Sequence, residues 1–294
     1  MPDFPGIAAA IGAACDDVLK PETVCAVNGG SISHAWRMEG KSGRFFIKTN
    51  AADFAENFAA EVDGLKALAS AVSPAPTFVA SGIVGDVAFL SLRYLDLEPL
   101  DRVGGIALGR QLAQLHRHTG EHFGWRRDNF IGATPQINTP HASWPHFYSR
   151  QRLLPQIERA SNKGFPASLR KQGDAIIERV GGLFINYHSS ASLLHGDLWS
   201  GNAGQLPDGQ PVMFDPACHY GDRETDFAMS ELFGGFPDSF YAAYREAWPL
   251  DADYETRKPL YNLYHVLNHY NLFGAAYLGQ ARRMIERLHS DLRR

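Results

Sequence analysis

Within one short span the chain places His195, Asp197 and Asn202 between apolar runs at Leu193-Leu194 and Val212 to Phe214, and Asp215 directly after the second run. A carboxylate on a loop there can accept or orient the proton of an attacking hydroxyl, since an alcohol is a poor nucleophile until that proton has somewhere to go. An amide oxygen and a second carboxylate are the hard oxygen donors that Mg²⁺ takes, and such an ion bridges and neutralises the phosphates of ATP. The expected roles are therefore Asp197 as catalytic base and Asn202 and Asp215 as metal ligands, with ATP and Mg²⁺ as cofactors.

The spacing adds to the residue types. His195-x-Asp197-Leu198-x-x-x-Asn202 reproduces the H-x-D-L-x-x-x-N segment of a kinase catalytic loop, and Asp215 stands where the metal-binding Asp of D-F-G would be. Singly, Asp197 could cap a turn and Asp215 could end a strand, but neither role explains the combined pattern. Two departures narrow it. Position 196 is Gly and not Arg, and Asp215-Pro216-Ala217 replaces D-F-G with no later A-P-E. Those missing parts couple protein kinases to a phosphorylated activation segment, so the sequence points to a small-molecule kinase that does not require one.

The elements that must position these groups can be read on either side. Ala203 to Gln205, the Pro207-Asp208-Gly209 turn and Val212 to Phe214 predict a hairpin carrying Asn202 and Asp215 to one end. Upstream, an apolar first helix with Ile7 to Cys15 is followed by β-rich Thr23 to Val27, a break at Asn28-Gly29-Gly30-Ser31, a second extended run at Ser33 to Met38 and a third ending Phe45-Phe46-Ile47-Lys48. A glycine turn lets backbone approach phosphates and a strand-borne lysine meets them, so Gly29, Gly30, Ser31 and Lys48 are nucleotide-binding candidates. A glycine pair by itself is ordinary turn punctuation. Residues 51 to 71 predict a helix, with Phe54, Phe58, Val62, Leu65 and Leu68 at helical spacing. Glu61 on that helix could hold Lys48 towards the phosphates, with Glu56 as its competitor.

A β-pair from Phe78 to Leu95 closes a small sheet, and beyond Tyr94-Leu95-Asp96-Leu97-Glu98-Pro99 the character becomes helical. The predicted architecture is α+β and bilobal. Residues 1–95 form a small antiparallel-sheet lobe with one packing helix that binds nucleotide, and residues 96–294 form a larger, mainly helical lobe for catalysis and substrate. The base would enter the crevice beside Tyr94 and Leu95. Helices are expected at about 104–117, 149–160, 166–183 and in the segment 254–292, and the stretch 123–148 reads as irregular and aromatic. Within it Asp128 and Asn129 are candidate contacts for a polyhydroxylated ligand. His116, His118 and His122 lack partners at ligand spacing, and His265 with His269 lacks the glutamate of H-E-x-x-H, so packing explains them better than metal.

Composition excludes other classes. The net charge of −4 gives no general basic field for nucleic acid, and no apolar run is long enough for a bilayer. Three cysteines without C-x-x-C spacing indicate neither a disulfide framework nor a zinc site, which suits a soluble cytoplasmic protein.

The match becomes specific at His195-Gly196-Asp197-Leu198-Trp199-Ser200-Gly201-Asn202, Asp215-Pro216-Ala217, Tyr220-Gly221-Asp222-Arg223-Glu224-Thr225-Asp226 and Met229 to Pro237. With Asn129-Phe130-Ile131-Gly132 and Gly29-Gly30-Ser31-Ile32, these make the chain resemble the fructosamine kinase (ketosamine-3-kinase) family, within the aminoglycoside-phosphotransferase-like kinases of protein-kinase-like fold. The resemblance implies ATP-dependent phosphorylation of the 3-hydroxyl of ketoamines, free or on glycated protein lysines. The adduct then eliminates, which initiates deglycation. It also implies that Lys48 and Glu61 position phosphate, that Asp226 and His195 support the catalytic loop, and that Trp199 faces substrate. Ser31 stands where many members have Cys, which puts thiol control of that loop in doubt. The rival readings are a kinase of another alcohol, such as an aminoglycoside, choline or a small sugar, and a non-catalytic nucleotide-binding pseudokinase.

Overall fold

The computed structural model describes residues 1–27 and 32–293. The expected glycine turn at Gly29, Gly30 and Ser31 lies outside the described residues. Helix α1 (Phe4–Cys15) precedes strands β1 (Leu19–Ala26), β2 (His34–Gly40) and β3 (Gly43–Ala51), helix α2 (Ala55–Ala71), and strands β4 (Phe78–Val84) and β5 (Val87–Arg93). The five strands form one antiparallel sheet in the order β1-β2-β3-β5-β4.

Period-2 alternation divides the sheet's side chains between two helices. Phe45, Ile47 and Phe89 point to one face, where Phe4, Ile7 and Ile11 of α1 cover them. Ala88, Leu90 and Leu92 point to the other, against Phe58, Val62 and Leu65 of α2. The lobe therefore carries two packing helices where the sequence suggested one. The small, apolar α1 shows too little polar contrast to reveal which surface it covers. Ile7 and Ile11 are fully buried, and each contributes about 1.5–3 kcal/mol relative to exposure.

The second lobe begins after an extended connector. It contains α3 (Arg102–His116), the hairpin β6 (Asn129–Ile131) and β7 (Thr134–Gln136), α4 (Trp144–Tyr148), α5 (Leu154–Ser161) and α6 (Ala167–Arg179). Then come β8 (Ser192–Leu194), β9 (Ala203–Gln205), β10 (Pro211–Met213), β11 (His219–Gly221), α7 (Glu224–Ser230), α8 (Asp238–Ala247), α9 (Tyr254–Phe273) and α10 (Leu278–Asp291). Its core gathers Leu108, Leu112, Phe147, Phe227, Tyr261 and Leu267 from four of these helices, α3, α4, α7 and α9.

Two segments differ from expectation. The supposedly irregular stretch 123–148 holds the β6/β7 hairpin, whose three-residue strands are too short to show a period, turned at Gly132 with φ +61°. Helix also starts at Trp144, ahead of the expected Ser149, and runs through a π-helical turn at Ser149–Leu153 into α5. Pro155 has no N–H to give, and the wider turn displaces the apolar spacing from 3.6.

Candidate active site

The two lobes meet at a cleft of about 810 Å³ lined from above by Phe46, Lys48 and Glu61 and from below by Asp197, Asn202 and Asp215. Lys48 sits on β3, on the face turned to α2. Its Nζ lies 2.7 Å from Glu61 Oε1 and 2.6 Å from Asp215 Oδ1, so one ammonium joins groups from both lobes. Burial opposes its charge, but Asp215 and then Glu61 outweigh that and hold its pKa above the ordinary value. Burial raises the Glu61 pKa, Lys48 pulls it down and Asp215 pushes it back up. Glu56 is not the lysine's partner: it pairs with Arg127 at 2.7 Å on the outside of the helix.

Below the lysine, three short elements converge. β8 pairs with β11, Leu194 opposite His219, and delivers the chain to His195. Gly196 then takes φ +85°, and a Cβ there would stand 2.2 Å from the Ala217 carbonyl oxygen. That close crossing of the segment after Asp215 is what forbids an arginine at this position. The Asp226 carboxylate, at the start of α7, accepts the backbone N–H groups of His195 at 2.7 Å and Gly196 at 2.8 Å. His116 Nε2 lies 3.2 Å from the same carboxylate and His116 Nδ1 2.8 Å from the Tyr244 hydroxyl. Burial holds His116 below its ordinary pKa, against the pull of Asp226. His195 donates from Nε2 to the Phe214 carbonyl at 2.9 Å, which leaves Nδ1 to accept from the Asp197 N–H at 3.3 Å.

The β9/β10 hairpin sets the remaining pair, with the Phe214 N–H donating to the Asn202 carbonyl at 3.0 Å. Asn202 Nδ2 donates to the Asp197 backbone oxygen at 2.9 Å and to Asp197 Oδ2 at 3.1 Å. Asn202 and Asp215 line the cleft, and among the described residues no protein hydrogen bond reaches the Asn202 amide oxygen or the second Asp215 carboxylate oxygen. Asp215 adopts φ +56°, a left-handed conformation rare outside glycine, Asn and Asp. Burial, then the facing charge of Asp215, raises Asp197 to about 7.

Two oxygen donors suit Mg²⁺, which keeps several waters and completes its shell with phosphates. No cluster of three or more His, Cys, Asp or Glu that could cage a metal occurs among the described residues.

The connector behaves as a cleft edge: Tyr94, Leu95 and Leu97 line it, and Glu98 exchanges backbone hydrogen bonds with Gln205 of β9 at 2.8 and 2.9 Å. Trp199 lines the opposite part. Its ring covers Gly201, where a Cβ would lie 2.3 Å from Cη2, and meets Phe233 edge-on at 6.3 Å. Asp128 and Asn129 both make hydrogen bonds within the protein, and of the two only Asn129 lines the cleft. Asp128 lies outside the cleft and accepts the Asn138 N–H at 2.8 Å. The Asn129 amide, although beside the cleft, donates to the Cys218 carbonyl and accepts from both Gln136 and Asn138. Both residues shape the loop, and a polar residue in a loop gives no sequence signal of that internal use.

Sequence reasoning also missed a wall. His269 reaches the cleft beside Phe233 at 4.6 Å and Tyr277 at 5.0 Å, while His265 one turn earlier is in the core with its pKa pushed down to about 3 by burial. The i, i+4 spacing was visible, but which of the two faces the cleft depends on how α9 lies across α7.

A small sheet lobe and a helical lobe that close on a lysine, two carboxylates and an amide make the architecture of a protein-kinase-like phosphotransferase acting on a hydroxyl group. The family model for fructosamine kinase matches residues 4–291. A "Probable ketoamine kinase" of Vibrio cholerae is 42% identical over 266 residues, covering 89% of this chain and 91% of the relative. The chloroplastic protein-ribulosamine 3-kinase of Arabidopsis thaliana is 39% identical over 265 residues, covering 88% and 80%. A crystal structure assigned to fructosamine-3-kinase from Haemophilus somnus superposes with a TM-score of 0.88 at 28% identity, covering 97% of each chain. The chain belongs to the fructosamine kinase family.

Proposed function

We propose that the protein transfers the γ-phosphoryl group of ATP to the 3-hydroxyl of a ketoamine, a ribulosamine or fructosamine adduct of a free amine or a protein lysine. The observation that carries this is the convergence of Lys48, Asp197, Asn202 and Asp215 at one end of the cleft. Asp197 accepts the hydroxyl proton as the new O–P bond forms and the bond from the γ-phosphorus to ADP breaks. A carboxylate with a pKa near 7 is matched to that task at neutral pH. Lys48, aimed by Glu61, meets the phosphates, and Asn202 and Asp215 would hold a Mg²⁺ ion that supplies charge neutralisation there. The adenine lies against Tyr94 and Leu95, at the boundary between a nucleotide lobe of residues 1–95 and a catalytic lobe of residues 96–294. Trp199 offers a flat apolar face to the sugar.

The cleft wall near Trp199 is aromatic, through Phe233, His269, Phe273 and Tyr277, which favours a sugar adduct over a polycationic aminoglycoside, for which acidic groups would be needed. Three free cysteines and the absence of any helix long and apolar enough to cross a membrane among the described residues are compatible with a reducing cytoplasm. The test is ATP consumption with ribulose-lysine, fructose-lysine, an aminoglycoside and choline as acceptors. Turnover of a ketoamine and of neither other class is expected. Turnover of the aminoglycoside or choline with no ketoamine active would overturn the substrate assignment.

A further inference from the structure

Helix α2 carries Glu61, and in this fold such a helix must be held against the catalytic lobe if the lysine is to stay aimed. Protein kinases use a phosphorylated activation segment for this, whereas Asp215-Pro216-Ala217 is followed by no A-P-E here. What holds α2 instead is visible on its surface. Glu61 and Gly64 share one face. At Gly64 an added Cβ would stand 3.0 Å from Pro216 Cγ, immediately after Asp215. The adjacent face carries Glu56 and Asp63, two turns apart. Asp63 Oδ2 accepts the indole N–H of Trp125 at 2.7 Å, and Arg126 donates to both of its oxygens.

Trp125 is not a free surface ring. It packs on Tyr220 with centroids 5.3 Å apart, and Gly124 exchanges both backbone hydrogen bonds with Tyr220, at 2.9 and 2.8 Å. Tyr220 lies on β11, opposite Leu193 of β8, the strand that runs into His195 and Asp197. A continuous set of contacts thus runs from the helix of Glu61, through Asp63, Trp125 and Tyr220, to the strand that presents the catalytic loop. The Asp63 side chain is 15% exposed, whereas its Arg126 partner is 65% exposed. The half-buried indole bond is therefore the stronger part, since exposed ion pairs contribute little.

We propose that Asp63 and Trp125 are positioning residues that latch α2 to the β8/β11 pair, so that the Lys48–Glu61 contact is assembled permanently. This rests on the phosphotransfer reading above. The latch acts through Glu61, and a double-mutant cycle isolates that dependence. The variants are Asp63→Ala and Trp125→Phe, the latter keeping the ring on Tyr220 while removing the indole donor, each made with Glu61 intact and with Glu61→Gln. Calorimetric Kd for Mg²⁺-ATP is measured alongside kcat and the acceptor KM. With Glu61 intact, either change is expected to lower kcat about tenfold or weaken ATP binding by a similar factor, with acceptor KM unchanged within about twofold. In the Glu61→Gln background the same changes cost less than about twofold, and Asp63→Asn, whose amide oxygen still accepts from the indole, recovers most of the loss. Equal losses in both backgrounds, or no loss in either variant with Glu61 intact, would overturn the latch. The ATP affinities carry the same cycle without any acceptor, so an unreactive ketoamine would count against the substrate reading and leave the latch decided.

Discussion

At the scale of single residues, the proposed chemistry turns on Asp197. Burial and the Asp215 charge raise its pKa to about 7, so the free enzyme loses its base as pH falls through that value. The expected kcat/KM for the acceptor is flat above about pH 8 and falls tenfold per unit well below the pKa, as kcat/KM reports the free enzyme's ionisation. Asp197→Asn is expected to lower kcat by about 10²–10⁴-fold and to lose this step. A pH–rate profile of both proteins checks it, and a wild-type profile flat from pH 5 to 9 would remove Asp197 from the role of base. The sequence makes Asp197, Asn202 and Asp215 legible because their spacing along a short loop and hairpin is itself the signal. It does not make His116 legible, because nothing in the His116, His118 and His122 group hints that Asp226, far along the chain, meets the first of them at 3.2 Å.

At the scale of elements, the site depends on two chain segments crossing at contact distance. Gly196 with φ +85° runs beneath the Ala217 carbonyl, and the Ala217 N–H returns a hydrogen bond of 2.8 Å to the His195 carbonyl. Gly196→Ala must therefore either push the two segments apart or leave the left-handed conformation. It is expected to cost about 2 kcal/mol or more of stability and to lower kcat with it, measured by denaturant unfolding and turnover. Wild-type stability in this variant would contradict the crossing. The same residue shows how far an element can be read in advance. A glycine in the motif announced a tight backbone course, but its partner twenty-one positions later, Ala217, had no distinguishing type. Strands β3 and β5 were readable for the opposite reason: each carries a run of several apolar, β-favouring residues, Phe45-Phe46-Ile47 in one and Val87 to Leu90 in the other. The short β6/β7 hairpin and the π-helical turn repeat nothing and were not.

At the scale of the whole molecule, two lobes share one buried cation. Lys48 belongs to the sheet lobe and Asp215 to the helical lobe, and their 2.6 Å contact closes the cleft at its catalytic end. The change from strand to helix character near Tyr94 made a two-lobed chain legible. The contacts that fix one lobe on the other, such as Asp63 with Trp125 and Gly64 with Pro216, join residues with no pattern between them and required the folded structure. If these groups act as one phosphotransfer centre on a ketoamine, phosphorus NMR of the protein with Mg²⁺-ATP and ribulose-lysine will show it. The expected result is one sugar 3-phosphate ester formed for each ADP released, abolished by EDTA and reduced to a trace in Asp197→Asn. Ester formation by Asp197→Asn at the wild-type rate, or phosphate carried on a different hydroxyl, would contradict it.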